Sequence, residues 1–211
     1  MTYSIKEMFY TLQGEGAQAG RAAVFCRFSG CNLWSGREKD RASAECQFCD
    51  TDFVGVDGVN GARFESPHDL AALISTLWPS NETDRRYVVC TGGEPLLQLD
   101  EPLIGALHDR GFEVAIETNG TLPIPRGIDW ICVSPKGNTS IVAKQGHELK
   151  LVYPQTGVDP KLFQNWEFDH FFIQPMDGPL IDEHVQLAIE YCQQNPIWRF
   201  GAQMHKMVGL K

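Results

Sequence analysis

The sequence predicts an α/β fold, a curved partial (β/α) barrel of about six parallel strands with few helices. Three observations carry this expectation. Short β-rich runs alternate with helical patterns, which implies parallel pairing with helices covering one face of the sheet. Only three helices stand out, too few for a complete eight-fold barrel. Polar or glycine-rich residues recur directly after the strands, where sheets of this kind bind their ligands.

The strand runs are 23–29 (AVFCRFS), 87–91 (YVVCT), 113–118 (EVAIET), 130–134 (WICVS), 148–153 (ELKLVY), 170–174 (HFFIQ) and 198–203 (WRFGAQ). The first helix starts at Ser66-Pro67-His68-Asp69, with Ser as N-cap, Pro at N1 and an acid at N3. Leu70, Leu73, Ile74 and Leu77 then form one apolar stripe. Residues 95–109 and 180–194 read as two more helices, the second with Ile181, Val185, Ile189 and Cys192 on one face. No internal repeat or low-complexity tract interrupts the pattern, so one domain over 1–211 is expected.

A net charge of −9 over 211 residues, with no basic cluster, argues against nucleic acid as a partner. The N-terminus MTYSIKEMFY lacks the basic and apolar regions of a secretory signal, and no run of about eighteen apolar residues offers a membrane span. A cytoplasmic protein is the expectation. Its seven cysteines, an odd number in a reducing compartment, are then not a disulfide framework. Cys132 and Cys192 fit as plain core residues.

Five strand ends carry groups that could converge on one pocket: Gly30-Cys31, Thr91-Gly92-Gly93-Glu94-Pro95, Glu117-Thr118-Asn119-Gly120, Ser134-Pro135-Lys136 and Gln174-Pro175-Met176-Asp177. Near the first stands SGCNLWSGREKDRASAECQFCDTD (29–52), holding Cys31 and the C-x-x-C pair Cys46 and Cys49. A thiolate triad suits an iron–sulfur cluster, leaving one iron of a four-iron cube open to a small molecule. Cys26, Cys31, Cys46 and Cys49 also have acceptable spacing for a structural zinc. Against zinc, Cys26 shares a strand face with Val24 and Phe28, where a core thiol belongs. A redox pair at Cys46 and Cys49 lacks a thioredoxin-like context. TGGEP at a strand end adds a close backbone approach at Gly92 and Gly93 and an acceptor for an ammonium at Glu94.

Together the thiol triad and TGGEP resemble the radical S-adenosylmethionine (SAM) superfamily. The ordered series EMFYTLQGEG (7–16), AVFCRFSGC (23–31), C-x-x-C-D-T (46–51), TGGEP (91–95), IETNG (116–120), SPK (134–136), QPM (174–176) and QMHK (203–206) is similar to the 7-carboxy-7-deazaguanine synthase family of queuosine and deazapurine biosynthesis. It spans nearly the whole chain. The superfamily spacing is C-x3-C-x2-C, whereas residues 32–45 here form a fourteen-residue first gap. A longer closed loop costs only modestly more, and this family varies there.

The resemblance implies a lyase that converts 6-carboxy-5,6,7,8-tetrahydropterin to 7-carboxy-7-deazaguanine by magnesium-assisted radical ring contraction with loss of ammonia. It implies a [4Fe-4S] cluster on Cys31, Cys46 and Cys49, with SAM touching Phe48 and Asp50 and its methionine ammonium meeting Gly92, Gly93 and Glu94. Ser134, Pro135 and Lys136 would hold ribose and carboxylate, with Gln174 and Met176 on the adenine side. Thr51 is the implied Mg²⁺ ligand. Leu12, Gln13, Gly14 and Glu15 would face the pterin, Arg27 its carboxylate, and Cys90, Thr91, His205 and Lys211 the rest of the substrate. No side chain is expected to act as a catalytic acid or base, since the SAM-derived radical carries the chemistry. A homodimer and a flavodoxin-type electron donor are also implied. The alternatives are an activating enzyme of the same superfamily, working on a protein partner, and a zinc-stabilised interaction module.

Overall fold

Alternation in the run Ala23-Val24-Phe25-Cys26-Arg27-Phe28 sets the two faces of the sheet. Val24, Cys26 and Phe28 are fully buried in an apolar core, while Phe25 and Arg27 face a cavity on the other side. The structure, a computed structural model, describes residues 2–79 and 84–210. Its strands are β1 (Tyr3–Leu12), β2 (Ala22–Phe28), β3 (Ala62–Phe64), β4 (Tyr87–Gly92), β5 (Glu113–Thr118), β6 (Trp130–Val133), β7 (Gln145–Tyr153), β8 (Glu167–Pro175) and β9 (Trp198–Phe200). The α-helices are α1 (Pro67–Leu77), α2 (Glu101–His108), α3 (Ile181–Gln194) and α4 (Met204–Val208).

One open sheet runs in the order β3-β1-β2-β4-β5-β6-β7-β8-β9. From β2 to β9 every neighbouring pair is parallel, as a partial (β/α) barrel requires. Two strands outside the expected parallel set, β1 and β3, extend the sheet at one edge. There β1 pairs antiparallel with both β2 and β3, with a register shift between Ile5 and Glu7. Tyr3, Ile5 and Met8 supply its core face, and the charged Lys6 and Glu7 between them obscure the strand pattern.

Helices α1 and α2 cover the core face of β1, β2, β4 and β5 through Leu70, Ile74, Leu103, Ile104 and Leu107. A second apolar cluster, including Leu149, Leu151, Ile173 and Trp198, lies under α3 at Ala188. Ser66 caps α1 by accepting from His68 N and Asp69 N, as expected. The helix expected over 95–109 divides in two. Pro95–Leu97 forms a 3₁₀ turn, and α2 begins afresh because Asp100 accepts from Leu103 N at 3.1 Å. The strand expected over 198–203 stops at Phe200, and the chain then turns toward the cavity into α4. Among the described residues no helix is long and apolar enough to cross a membrane.

Candidate active site

Side chains beyond the ends of β2, β4, β5, β6 and β8 meet in a cavity of about 390 Å³. One wall carries Cys31, Cys46 and Cys49. Leu33 N donates to Cys31 Sγ at 3.4 Å, though burial pushes the Cys31 thiol up. The Cys46 thiol donates to Cys49, which lowers the Cys49 pKa and raises that of Cys46. Phe48 stands beside them, with Lys136 Nζ 5.6 Å from its ring centroid. Lys136 also donates to Ser134 Oγ at 2.5 Å.

Glycines let the backbone close on this wall. Gly92 has φ +142°, and a Cβ at Gly93 would strike Gly30 O and come within 2.9 Å of Cys31 Cβ. Glu94 lies behind the wall, fully buried. Its Oε1 accepts from Leu96 N (2.9 Å) and Thr118 Oγ1 (2.8 Å), and its Oε2 from Asn119 N (2.8 Å). Burial raises its pKa despite these bonds, which favour the charged form.

The cavity floor is ionic. Lys150 Nζ donates to Glu15 Oε2 at 2.6 Å and Glu117 Oε2 at 2.7 Å. Burial opposes both charges. For Lys150 the surrounding acidic groups, Glu117, Glu15 and Glu148 among them, more than offset it. For Glu15 the Lys150 ammonium does so, holding its carboxyl well below the usual range. Gln174 Nε2 and Gln203 Nε2 both donate to Glu15 Oε1, at 3.2 and 3.0 Å, and Gln13 Nε2 donates to Glu117 Oε1 at 3.2 Å. Gln174 Oε1 is buried with no partner among the described residues.

Most of the expected site residues do line this cavity: Leu12, Gln13, Gly14, Glu15, Arg27, Phe48, Asp50, Thr51, Thr91, Gly92, Gly93, Ser134, Lys136, Gln174, Met176 and His205. Among the described residues, Cys90, Glu94 and Pro135 do not line it. Cys90 pairs in register with Cys26 and is fully buried in the same core, because Thr91, not Cys90, shares the Arg27 face. Pro135 is buried beside a different groove, its carbonyl accepting from Gln155 Nε2 at 3.2 Å. Lys211 lies outside the described residues. Arg27 already has a carboxylate, donating through Nε to Glu7 Oε1 at 3.0 Å across the β1–β2 pair. Asp50 is bound by Lys206 of α4 at 2.6 Å, which also reaches Asp177.

The four-thiolate zinc arrangement fails on the same alternation. Cys26 faces the core, away from the other three thiols on the cavity. Sequence reasoning missed Lys150 as a site residue. Its signal was present in ELKLVY, where Glu148 and Lys150 alternate with the buried Leu149 and Leu151. Charged residues on one face of a central parallel strand have nowhere to go but a cavity.

No family model matches the chain. It is 61% identical over 210 residues to the 7-carboxy-7-deazaguanine synthase of Bordetella pertussis and 60% identical over 210 residues to that of Caulobacter vibrioides, with all of each chain covered. The synthase of Bacteroides thetaiotaomicron is 36% identical over 211 residues, again end to end. The crystal structure of QueE from Escherichia coli superposes with a TM-score of 0.71 at 28% identity, covering 97% of this chain and 95% of that one. With an open sheet, a thiol-lined cavity and relatives matching over their full length, the chain belongs to the 7-carboxy-7-deazaguanine synthase family of radical SAM enzymes.

Proposed function

We propose that the chain, as one domain over 1–211, converts 6-carboxy-5,6,7,8-tetrahydropterin to 7-carboxy-7-deazaguanine with loss of ammonia. The observation that carries the reading is the placement of three thiols on one wall of a cavity whose floor is the Lys150–Glu15–Glu117 network. Three thiols on the cavity, with Cys26 turned into the core, suit a [4Fe-4S] cluster with one open iron. When bound, the cluster and SAM supply a one-electron route to hydrogen abstraction from the pterin.

This chain's residues bind and orient. Cys31, Cys46 and Cys49 would hold the cluster. Gly92 and Gly93 offer backbone to the amino-acid end of SAM, and Glu94 Oε2, with one bond from Asn119, keeps a lone pair for an ammonium. Phe48, Asp50, Ser134, Lys136, Gln174 and Met176 would complete the SAM side. Leu12, Gln13, Gly14, Glu15, Thr91 and His205 would surround the pterin. The Glu7 pair uses Arg27 Nε, and the other edge of the guanidinium suits the substrate carboxylate. Thr51 Oγ1 stands 3.5 Å from Asp50 Oδ1, too far for a strong bond, and would ligate Mg²⁺ together with substrate oxygens and water.

The enzyme would act in the cytoplasm as a homodimer, supplied with electrons by a flavodoxin-type protein, and would serve queuosine biosynthesis. It is tested by incubating reconstituted protein anaerobically with reductant, SAM, Mg²⁺ and carboxytetrahydropterin. Formation of carboxydeazaguanine with ammonia is expected. SAM cleavage with the pterin left intact would contradict it and favour action on a protein partner.

A further inference from the structure

We infer that Arg41 is a positioning residue that clasps the insertion 32–45 onto the Cys46–Cys49 segment and so fixes the relative placement of the three thiols. The inference rests on the cluster reading of Cys31, Cys46 and Cys49. It explains how a fourteen-residue gap is compatible with three ligands on one cluster.

The insertion is closed at its neck and again near its tip. At the neck, Glu45 N and Cys46 N both donate to Leu33 O, at 3.1 and 3.4 Å, returning the chain beside Cys31. Near the tip, the 3₁₀ segment Glu38–Ser43 presents Arg41 to the cysteine loop. Arg41 Nη1 donates to Gln47 O at 2.9 Å and to Cys49 O at 3.1 Å. Its Nε is held by Glu38, 2.9 and 2.8 Å from the two carboxylate oxygens. Its guanidinium lies 4.1 Å from the centroid of Trp34, which is buried and packs edge-on against Phe53 at 5.6 Å.

An exposed Arg–Glu pair three residues apart would by itself contribute little. Arg41 differs because one planar group joins three parts of the loop: the buried Trp34, the Glu38 carboxylate and two carbonyls within the C-x-x-C segment, those of Gln47 and the ligand Cys49. The segment carrying those carbonyls, 44–53, belongs to no helix or strand, so the guanidinium stands in for secondary structure. A lysine cannot both stack and fork in this way. The clasp also places a cation beside the cluster site, and charge near an iron–sulfur cluster sets its potential.

The test compares wild type, Arg41→Lys, Arg41→Gln and Arg41→Ala after anaerobic reconstitution. Iron and sulfide content, iron release to a chelator and midpoint potential by EPR-monitored titration are read, with circular dichroism as the folding control. Arg41→Ala is expected to release iron roughly tenfold faster, in the range for loss of a group that orients metal ligands. Its potential should fall, with Arg41→Lys lying between it and wild type. Wild-type release and potential in Arg41→Ala would overturn the proposal. If that variant fails to fold, the same wild-type behaviour in Arg41→Gln, which keeps a polar side chain but neither the charge nor the fork, would overturn it. A wild-type chain that takes up no iron and sulfide is a separate result, overturning the cluster reading and the clasp with it.

Discussion

Lys150 Nζ lies 2.6 Å from Glu15 Oε2, joining the centre of β7 to the turn that follows β1, and both side chains are largely shielded from water. The contact links residues 135 positions apart. It brings the LQGEG segment over the end of the parallel sheet.

Removing the lysine leaves two carboxylates without their cation. Lys150→Met is expected to destabilise the fold by about 3–5 kcal/mol, the range for breaking a buried pair from one side. Replacing Lys150, Glu15 and Glu117 together with Met, Gln and Gln should recover much of that loss. Urea unfolding of the single and triple variants checks both statements.

The same pair sets an acid limit. The Glu15 pKa is lowered in the fold from an ordinary 4.5 because Lys150 outweighs burial. Its stabilisation is therefore fully present above pH 4.5 and is lost as pH falls through the lowered folded value. Wild type should lose stability relative to Glu15→Gln as pH drops below 4.5, and the difference should be flat from pH 6 to 7. Urea midpoints of the two proteins across pH 3–7 measure this directly.

Gly16 has φ +66°, and a Cβ there would strike the Glu148 carboxylate, which accepts from Ala17 N at 2.7 Å. Gly16→Ala should cost about 1–3 kcal/mol from left-handed strain plus overpacking, and should raise KM for the pterin. In a Glu148→Ala background the clash is gone and only the strain remains. A double-mutant cycle should therefore show coupling between the two positions, and strict additivity would contradict this account.

Cys26→Ala separates the core thiol from the three on the cavity wall. Cys26 packs beside Cys90 in the core, so the expected loss is about 1–2 kcal/mol of stability with iron content unchanged. Loss of iron in this variant would restore a four-cysteine site.

Much of this site was legible because chemistry and position coincided in the sequence. Gly30-Cys31, TGGEP, SPK and QPM each stand at the C-terminal end of a strand, and a parallel sheet brings such ends together whatever the rest of the fold does. What local pattern could not supply was facing and partnership. Cys90 and Thr91 sit at the same strand end, and only register with Cys26 and Arg27 separates core from cavity. Glu94 had the right chemistry for an ammonium, but nothing in TGGEP signals the three protein donors, Leu96 N, Thr118 Oγ1 and Asn119 N, that hold its carboxylate in place. Strand β1 was read only as a motif because Lys6 and Glu7 break its alternation. Lys6 pairs with Asp52 and Asp57, and Glu7 with Arg27, contacts that only the tertiary structure brings into being.

The most direct test is the iron, sulfide and zinc content of anaerobically reconstituted wild type beside Cys31→Ala. About four irons and four sulfides per chain in wild type, lost in the variant, is the predicted result. One zinc that persists through reconstitution, or iron retained without Cys31, would contradict the assignment of these three thiols to a cluster.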